Sequence, residues 1–297
     1  MIDLALLTEK RYLNPELESW YVKNILHEDQ LIQDELNRLG VSSKRVAWDD
    51  CFNPSLFRFS LFRTTWNYFE KIDQFYSFLN NCRGKTKFIN PLDSITWNLD
   101  KNYLIELESA GINIVKTHLT KKSSPLSLFS ITKQHNWGDI VIKPRVSAAG
   151  WNTHYIKKTS LQQNESLFQK LAQKYDMIVQ PFQENIISFG ELSLMVINGV
   201  FTHAVLKRAK HGDFRVQDDF GGSVEPYSPT KDQIVFAEKI LQKIPFKCLY
   251  ARIDVVLDNN NNLALSELEL IEPEMWFRYN RDAAVRLAES VRSYIKS

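Results

Sequence analysis

Residues 250–273 read YARIDVVLDNNNNLALSELELIEP, in which two alternating polar and apolar runs flank an asparagine-rich turn. Side chains alternate between the two faces of a β-strand, so Arg252 and Asp254 share one face. Glu267 and Glu269 likewise share one face of the following strand. If the strands pair across the turn, three carboxylates and one guanidinium converge, a patch that suits Mg²⁺ with its preference for oxygen ligands. The alternative is a hairpin whose charged face is only solvated.

Working outward, the segments next to this hairpin predict a mixed structure. Asn198-Gly199 between the apolar runs 191–197 and 200–209 is a strong signal for a second hairpin. The polar segment 211–227 is expected to be a mobile loop, and a helix is expected over 231–244. Upstream, helices are predicted over 100–111 and 161–174, and strands over 139–143, 153–157 and 177–180. A last helix is expected over 282–295.

The first ninety residues alternate between strand and helix patterns. Strands are predicted over 2–8, 41–48 and 57–64, and helices over 28–39 and 68–79. This alternation implies a parallel sheet with crossover helices, a Rossmann-like unit, although GxGxxG is missing and a dinucleotide is therefore not expected. Asn90-Pro91 marks a boundary, so we expect one domain at 1–90 and another at 91–297, the latter with lobes of about 91–180 and 181–297.

The composition excludes several classes of protein. The chain has 297 residues, 44% of them hydrophobic, and a formal net charge of +2. This composition is that of an ordinary globular protein, whose α/β class follows from the alternation above, and the small net charge argues against nucleic acid as the main partner. No apolar run approaches the roughly 20 residues that a bilayer span needs. Three scattered cysteines and an N-terminal run without a basic leader favour the reducing cytoplasm.

Three further sets of residues are candidate contacts for ligands. Lys143 closes a predicted buried strand and precedes the small-residue loop that starts at Ser147, an arrangement resembling a phosphate cradle. Arg215 and Gly222 lie in the predicted loop, where the arginine could clamp a carboxylate and the glycine allow close approach of the backbone. The third set follows the strand at 57–64, since ligands of parallel sheets bind beyond the carboxyl ends of strands, and it comprises Arg63, Trp66 and Tyr68. Each of these residues also has a plain structural explanation, such as a solvated strand end or an aromatic helix start.

An ordered series of short motifs continues along the chain. They read FRTTWNY (62–68), TWNLDKNYL (96–104), VIKPRVSAAG (141–150), VQPF (179–182), FGELS (189–193), AVLKR (204–208), ARID (251–254) and ELELIEP (267–273). In this order they resemble ATP-grasp ligases, and most of all the prokaryotic glutathione-synthetase-like proteins that include the cycloserine-forming ligase. The resemblance implies a pre-ATP-grasp domain followed by a two-lobed ATP-grasp fold. The chain departs from glutathione synthetases and D-alanine–D-alanine ligases at Glu269, where asparagine is usual, which makes the metal site more acidic.

The resemblance also implies roles for individual residues. Lys101, Lys143 and Ser147 would hold ATP phosphates, and Lys207 would meet the γ-phosphate. The other implied ATP contacts are the adenine-binding Gln180, Pro181 and Phe182 and the ribose-binding Glu191. The implied catalytic groups are Arg252, Lys207 and Arg215, and the implied metal ligands are Asp254, Glu267 and Glu269. The implied substrate residues are Arg63, Trp66, Tyr68, Arg215, Gly222 and Glu272.

The function implied is that of an ATP-dependent ligase with Mg²⁺, expected as two ions, with Mn²⁺ as a substitute. Such a ligase would phosphorylate a small amino-acid-like substrate to an acyl phosphate, and then join it to an amine or close a ring. Three alternatives remain open: modification of a peptide or protein, a non-catalytic ATP-binding module, and a structural protein whose acidic hairpin binds Ca²⁺. A homodimer is compatible with all of these.

Overall fold

The computed structural model describes residues 1–15, 19–210, 212–216 and 221–297. Its strands are β1 (Ile2–Thr8), β2 (Ser43–Ala47), β3 (Phe57–Thr64), β4 (Lys87–Ile89), β5 (His118–Thr120), β6 (Ile140–Pro144), β7 (His154–Ile156), β8 (Met177–Pro181), β9 (Glu191–Ile197), β10 (Val200–Arg208), β11 (Ser223–Tyr227), β12 (Tyr250–Leu257) and β13 (Leu263–Glu269). Its helices are α1 (Lys10–Leu13), α2 (Trp20–Arg38), α3 (Ile72–Cys82), α4 (Leu92–Leu99), α5 (Tyr103–Ser109), α6 (Leu128–His135), α7 (Leu161–Ala172), α8 (Asn185–Ser188), α9 (Lys231–Lys243) and α10 (Arg281–Lys296). Across these described ranges, no helix combines the length and the apolar character that crossing a bilayer requires.

The first sheet is parallel, with the strand order β2-β1-β3-β4. Its central strand β1 is apolar and buried along most of its length, as expected for a sheet covered on both faces. Helix α2 begins at Trp20, well before the predicted start at residue 28, with the Ser19 side chain accepting a hydrogen bond from the backbone at Val22. The pattern missed this first half because the buried Glu28 and Asp29 interrupt the apolar face.

The second sheet is antiparallel, in the order β5-β8-β6-β7. Helices α6 and α7 pack on it through a cluster that includes Ile142, Phe168 and Val179. The sequence predicted three of its strands but not β5, which has only three residues and pairs at the sheet edge with β8.

The third sheet is antiparallel, in the order β11-β10-β9-β12-β13. One face packs against α10 and the first sheet in a single core, and the other packs against α5 and α9. Both predicted hairpins are confirmed, and Asn198 and Gly199 adopt the positive φ angles of 50° and 73° that the tight turn requires.

Two predictions of local structure need correction. The segment 211–227 is not a loop throughout, because Ser223–Tyr227 forms β11 and pairs with β10. Residues 211 and 217–220 of that segment lie outside the described residues. The single helix predicted over 100–111 begins later, as α5, and the preceding helix α4 was missed.

The division into domains at residue 90 stays a prediction, which the ends of the sheets support. Strand β4 closes the first sheet at Ile89, and the second sheet starts only at β5. The second sheet ends with β8, and the third begins at β9. We therefore propose domains at 1–90 and 91–297, the latter with its lobes meeting near residue 180.

Gly190 connects α8 to β9 in a conformation that no other residue type would tolerate. Its φ is +105°, and a Cβ atom there would overlap the backbone carbonyl of Lys207 on the neighbouring strand. We predict that Gly190→Ala lowers the free energy of unfolding by about 2–4 kcal/mol, because backbone strain and overlap add. Gly40→Ala is the matched control, since Gly40 also has a positive φ (+72°) but faces open space. Urea denaturation of both variants measures the difference in the free energy of unfolding. Equal losses in the two variants would show that β10 moves away from the added methyl group at little cost.

Candidate active site

A cleft between the second and third sheets contains most of the residues selected from the sequence. Its wall is formed by the ends of β6 and β8 on one side and by β9, β10, β12 and β13 on the other. The predicted residues that line it are Trp66, Lys101, Lys143, Ser147, Gln180, Pro181, Phe182, Glu191, Lys207, Arg215, Arg252, Asp254, Glu267, Glu269 and Glu272.

The acidic hairpin forms one wall of this cleft. In the antiparallel pairing of β12 and β13, Arg252 lies opposite Glu269 and Asp254 lies opposite Glu267. The pairing shifts by one residue directly after Asp254, which leaves Ser266 as the extra residue. The alternation predicted from the sequence is therefore confirmed.

Asp254 is held from two sides by cations. Nη2 of Arg252 lies 2.9 Å from Oδ2 of Asp254, and Nζ of Lys207 lies 3.1 Å from the same oxygen. The hydroxyl of Ser193 donates a hydrogen bond to Oδ1 at 2.6 Å. Burial alone would raise the pKa of Asp254, but the two cations more than offset it, so the pKa lies well below its usual range.

Lys207 and Glu191 form the adjacent ion pair. Both side chains are buried, and the second carboxylate oxygen of Glu191 accepts a hydrogen bond from Ser266 Oγ at 3.0 Å. Burial opposes the charge on Lys207, whereas Asp254 and Glu191 stabilise it, and the net result is a raised pKa. Glu191 is thus a buried, paired residue and not a solvated glutamate at a strand start.

The two predicted phosphate-binding lysines differ in their surroundings. Lys101 is 4% exposed, lies 3.0 Å from Glu267 Oε1 and donates to the carbonyl of Ser147. Lys143 makes no ion pair or hydrogen bond with any described part of the chain, and burial lowers its pKa despite the attraction of Glu267. An ammonium group directed into a cleft without a fixed partner is available to an anionic ligand.

The opposite end of the cleft is apolar. Its lining comes from β-branched side chains at Val115, Val141, Ile186 and Val256, together with the ring of Phe182. The backbone of Phe182 donates to the carbonyl of Asp139 at 2.8 Å, which fixes the turn where β8 ends. Such a slot can receive a flat aromatic base. Of these five apolar residues, only Phe182 was predicted from the sequence.

Glu269 and Glu272 crowd the end of the acidic strand. Burial, with the charges of Asp254 and Glu267 added, raises the pKa of Glu269 to about 7 although Arg252 opposes the shift. Burial and then Glu269 raise the pKa of Glu272 to about 8. Crowding thus favours the neutral forms of these two carboxyl groups, and an added cation would favour their ionised forms.

The donor set fits Mg²⁺ bound together with a ligand. Carboxylate oxygens from Asp254, Glu267 and Glu269 are the kind that this ion prefers. Within the described ranges, no three carboxylate, imidazole or thiol groups converge closely enough to hold an ion unaided. Each carboxylate instead faces Arg252 or Lys101. Phosphate oxygens of a bound ligand would therefore have to complete the metal site.

The structure corrects the placement of three predicted substrate residues. Arg63 is 2% exposed and lies between Glu28 and Asp29, away from the cleft. Tyr68 is buried behind Glu272 and hydrogen bonds to it, and burial raises the pKa of this tyrosine well above its usual value. Gly222 is half-buried next to β11 and is not among the described residues that line the cleft.

Arg215 does reach the cleft wall. Its guanidinium lies 2.8 Å from Asp213 Oδ2, so the loop holds it through its own carboxylate. The neighbouring Phe214 contacts Tyr155 and Phe182 with ring centroids 5.8 and 6.3 Å apart. The described part of the predicted mobile loop thus meets the cleft at Phe214, Arg215 and Val216.

Sequence reasoning missed the residues that follow ELELIEP. Trp276 has a φ of 47° and places its ring 4.9 Å from the guanidinium of Arg252, a cation–π contact. Its indole nitrogen is buried without a hydrogen-bond partner among the described residues. Glu274 and, from the first domain, Tyr21 also line the cleft. The dense run of acidic and aromatic residues at 272–279 could have indicated Glu274 and Trp276, whereas no sequence signal pointed to Tyr21.

Two family models match the chain. Residues 104–274 match the family model for the prokaryotic glutathione synthetase ATP-grasp domain. Residues 4–90 match the model for the N-terminal domain of the D-cycloserine synthetase DcsG. Both matches fall on the parts of the chain where the motifs and the first sheet lie.

Individual relatives agree with these matches. The chain is 24% identical to a cycloserine biosynthesis protein, DcsG, from Streptomyces lavendulae over 276 residues, which takes in 87% of this chain and 90% of the relative. A crystal structure of D-cycloserine synthetase DcsG has a TM-score of 0.86 at 22% identity and covers 98% of this chain and 99% of its own. A D-alanine–D-alanine ligase from Bacillus anthracis has a TM-score of 0.68 at 13% identity, covering 100% and 98%. The last two similarities show a common fold.

Proposed function

This chain belongs to the prokaryotic glutathione synthetase ATP-grasp family, and from that premise we propose that it activates a small amino-acid-like substrate as an acyl phosphate and then forms a carbon–nitrogen bond. The general activity follows from the family matches: the chain is an ATP-dependent ligase related to D-cycloserine synthetase, and its family uses ATP and Mg²⁺. The proposed acyl-phosphate chemistry rests on one observation. Four cationic side chains share a cleft with the carboxylates of Asp254, Glu267 and Glu269, and these cations are Lys101, Lys143, Lys207 and Arg252.

The lining of the cleft favours one orientation of the nucleotide. The base would enter the apolar slot beside Phe182, and the phosphates would lie toward Lys101 and Lys143. Lysine suits phosphate as a compact charge, and Lys143 has no fixed partner to give up among the described residues. The main-chain groups of Gln180, Pro181 and Phe182 would contact adenine. Glu191 would accept from ribose while keeping its contact with Lys207.

We propose that Asp254, Glu267 and Glu269 hold two Mg²⁺ ions, with Mn²⁺ as a substitute. When bound, the metal would neutralise phosphate charge that develops during transfer. The chain's own cations would provide the remaining stabilisation of the transferred phosphoryl group. Lys207 and Arg252 are fixed by Asp254 before any ligand arrives, so they need little reorganisation to stabilise the transferred phosphoryl group.

The proposed reaction has two steps, phosphorylation of the carboxylate and displacement of phosphate by an amine. A substrate carboxylate oxygen attacks the γ-phosphorus, the bond to the bridging oxygen breaks, and ADP leaves with the electron pair. An amine nitrogen of a second substrate, or of the same molecule, then attacks the carbonyl carbon, and the bond from that carbon to the phosphate oxygen breaks. The nitrogen loses a proton and inorganic phosphate departs. Arg252 would stabilise the tetrahedral oxyanion between attack and departure.

The substrate end of the cleft supports an amino-acid-like acceptor. Arg215 lines the cleft and offers a guanidinium for a carboxylate, Trp66 and Glu272 line the same cleft, and Trp276 lies next to Arg252. A homodimer and a cytoplasmic location stay predictions.

The experiment that tests this function measures ADP release from Mg²⁺-ATP in the presence of pooled amino acids, dipeptides and O-substituted serines, with mass spectrometry of the products. We expect one small-molecule pool to stimulate ADP release and to yield a product that has lost water relative to its substrates. A cyclic product would have the substrate mass minus water, and a joined product the sum of two substrates minus water. Tight ATP binding with no stimulation by any pool would contradict the small-substrate proposal.

Lys143→Ala is predicted to weaken ATP binding about 10- to 100-fold, because it removes one charge-assisted contact to phosphate. Lys121→Ala is the matched control: the same charge is lost from an exposed position on the same lobe. Isothermal titration with Mg²⁺-ATP measures both affinities. An affinity equal to that of the unmodified protein would rule out a phosphate contact at Lys143.

The double variant Glu267→Gln/Glu269→Gln is predicted to lose Mg²⁺-dependent turnover by about 100-fold while staying folded, because amides bind a hard cation weakly. The control Glu238→Gln/Glu289→Gln removes the same charge from exposed helix positions. ADP release is measured as a function of Mg²⁺ concentration, with circular dichroism to confirm folding. If the two double variants respond to Mg²⁺ alike, the metal assignment is wrong.

A further inference from the structure

The segment 272–277, which joins β13 to the start of α10, is held by contacts from widely separated parts of the chain. The indole of Trp66 donates to the carbonyl of Glu272 at 2.8 Å, and Arg252 Nη1 donates to the carbonyl of Glu274 at 3.3 Å. The ring of His203 lies 2.8 Å from the carbonyl of Met275. These contacts are made by side chains, whereas the only backbone hydrogen bonds found here among the described residues run from the N–H groups of Tyr279 and Asn280 to the carbonyls of Trp276 and Phe277. Side chains therefore contribute most of the contacts that shape the segment.

Glu28 of α2 makes the remaining two contacts. Its Oε1 accepts from the backbone N–H of Met275 at 2.8 Å, and its Oε2 accepts from that of Phe277 at 3.2 Å. The two N–H groups flank Trp276, whose φ of 47° is uncommon for a bulky residue. One carboxylate thus bridges both sides of the turn that directs Trp276 into the cleft.

Glu28 is itself held in place by a buried charge network. It is 4% exposed, and Arg63 Nη2 lies 2.5 Å from its Oε1. The other side of the same guanidinium contacts Asp29 Oδ1 at 3.1 Å, and Arg45 contacts Asp29 Oδ2 at 2.8 Å. Asp29 therefore shares Arg63 with Glu28 but has no described contact with segment 272–277.

We propose that Glu28 is a positioning residue for the acceptor end of the active site: by bridging the N–H groups of Met275 and Phe277 it fixes the turn that presents Glu274 and Trp276 to the substrate. This explains why Arg63, predicted as a substrate contact, lies beneath the site instead: it orients Glu28. The nucleotide end is built from β6, β8 and β13 and does not touch Glu28. The kinetic part of the inference rests on the proposed acceptor substrate, and its structural part does not.

The test compares Glu28→Gln with Asp29→Asn. Each variant removes one of the two carboxylates that pair with Arg63, so both should lose similar thermal stability. Only Glu28→Gln also replaces an acceptor oxygen facing the turn by an NH₂ group, which cannot accept from the second N–H. Glu28→Asp keeps the negative charge but has a side chain one methylene shorter, so its carboxylate cannot extend as far toward the turn. This variant replaces Glu28→Gln in the test if the glutamine variant does not fold.

The first readout is amide hydrogen exchange in a peptide spanning 272–278. We expect about tenfold faster exchange at Met275 and Phe277 in the Glu28 variants and exchange close to the unmodified protein in Asp29→Asn. Equal exchange in all variants would overturn the inference, whether or not any acceptor has been found.

The second readout is kinetic and uses the small-molecule pool that stimulates ADP release. The expected result for Glu28→Gln is a KM for the acceptor raised about tenfold with an unchanged affinity for Mg²⁺-ATP, and for Asp29→Asn a KM within about twofold of the unmodified value. A parallel loss in both variants would mean that the network only stabilises the fold. If no pool stimulates ADP release, the small-substrate proposal fails and hydrogen exchange alone decides the inference.

Discussion

The contact of Asp254 with Arg252 and Lys207 is the one on which the rest of the site depends. It joins β12 to β10, and through the hydroxyl of Ser193 it also joins both to β9 between them. Two cations and one carboxylate buried together are tolerated only when each is paired, and removing one partner of such a pair typically costs about 3–5 kcal/mol. The arrangement is therefore costly to disturb. This cost is what keeps two positive groups fixed in position for a reaction that transfers negative charge.

The remaining charges extend the same principle along the cleft. Lys101 neutralises Glu267 and Arg252 neutralises Glu269, whereas Lys143 has no described partner and Glu269 and Glu272 have raised pKa values. Among the described residues, Lys143 thus has no paired anion and Glu272 has no paired cation, and a cation bound near Glu272 would lower the raised pKa of its carboxyl group. A metal complex of a nucleoside triphosphate brings both missing charges at once. The electrostatics of the cleft and the chemistry of the family's co-substrate are therefore complementary.

Local patterns predicted the parts of this site that depend on neighbours in sequence. Alternation along β12 and β13 placed Asp254 and Glu267 on one surface, and Asn198-Gly199 fixed the register of β9 and β10. Contacts between distant residues were beyond such reasoning. Glu28 and Met275 are 247 positions apart, and nothing in the sequence near Arg63 distinguishes a buried ion pair from a substrate contact. Strand β11 was missed because its register comes from β10 and not from its own polar sequence.

The two ends of the cleft consequently have different structural origins. The nucleotide end is made by side chains on strands of the second and third sheets, whose backbone ladders already fix their positions. The proposed acceptor end is made by the irregular segment 272–277, which lies outside the strand ladders. Trp66 and Glu28 of the first domain hold this segment together with Arg252 and His203 of the third sheet. A change in the first domain can therefore alter the acceptor end while leaving the nucleotide end intact. If the proposed acceptor end is right, the first domain takes part in substrate selection although it contributes few groups to the cleft itself, and the choice of substrate is separated from the chemistry that all substrates share.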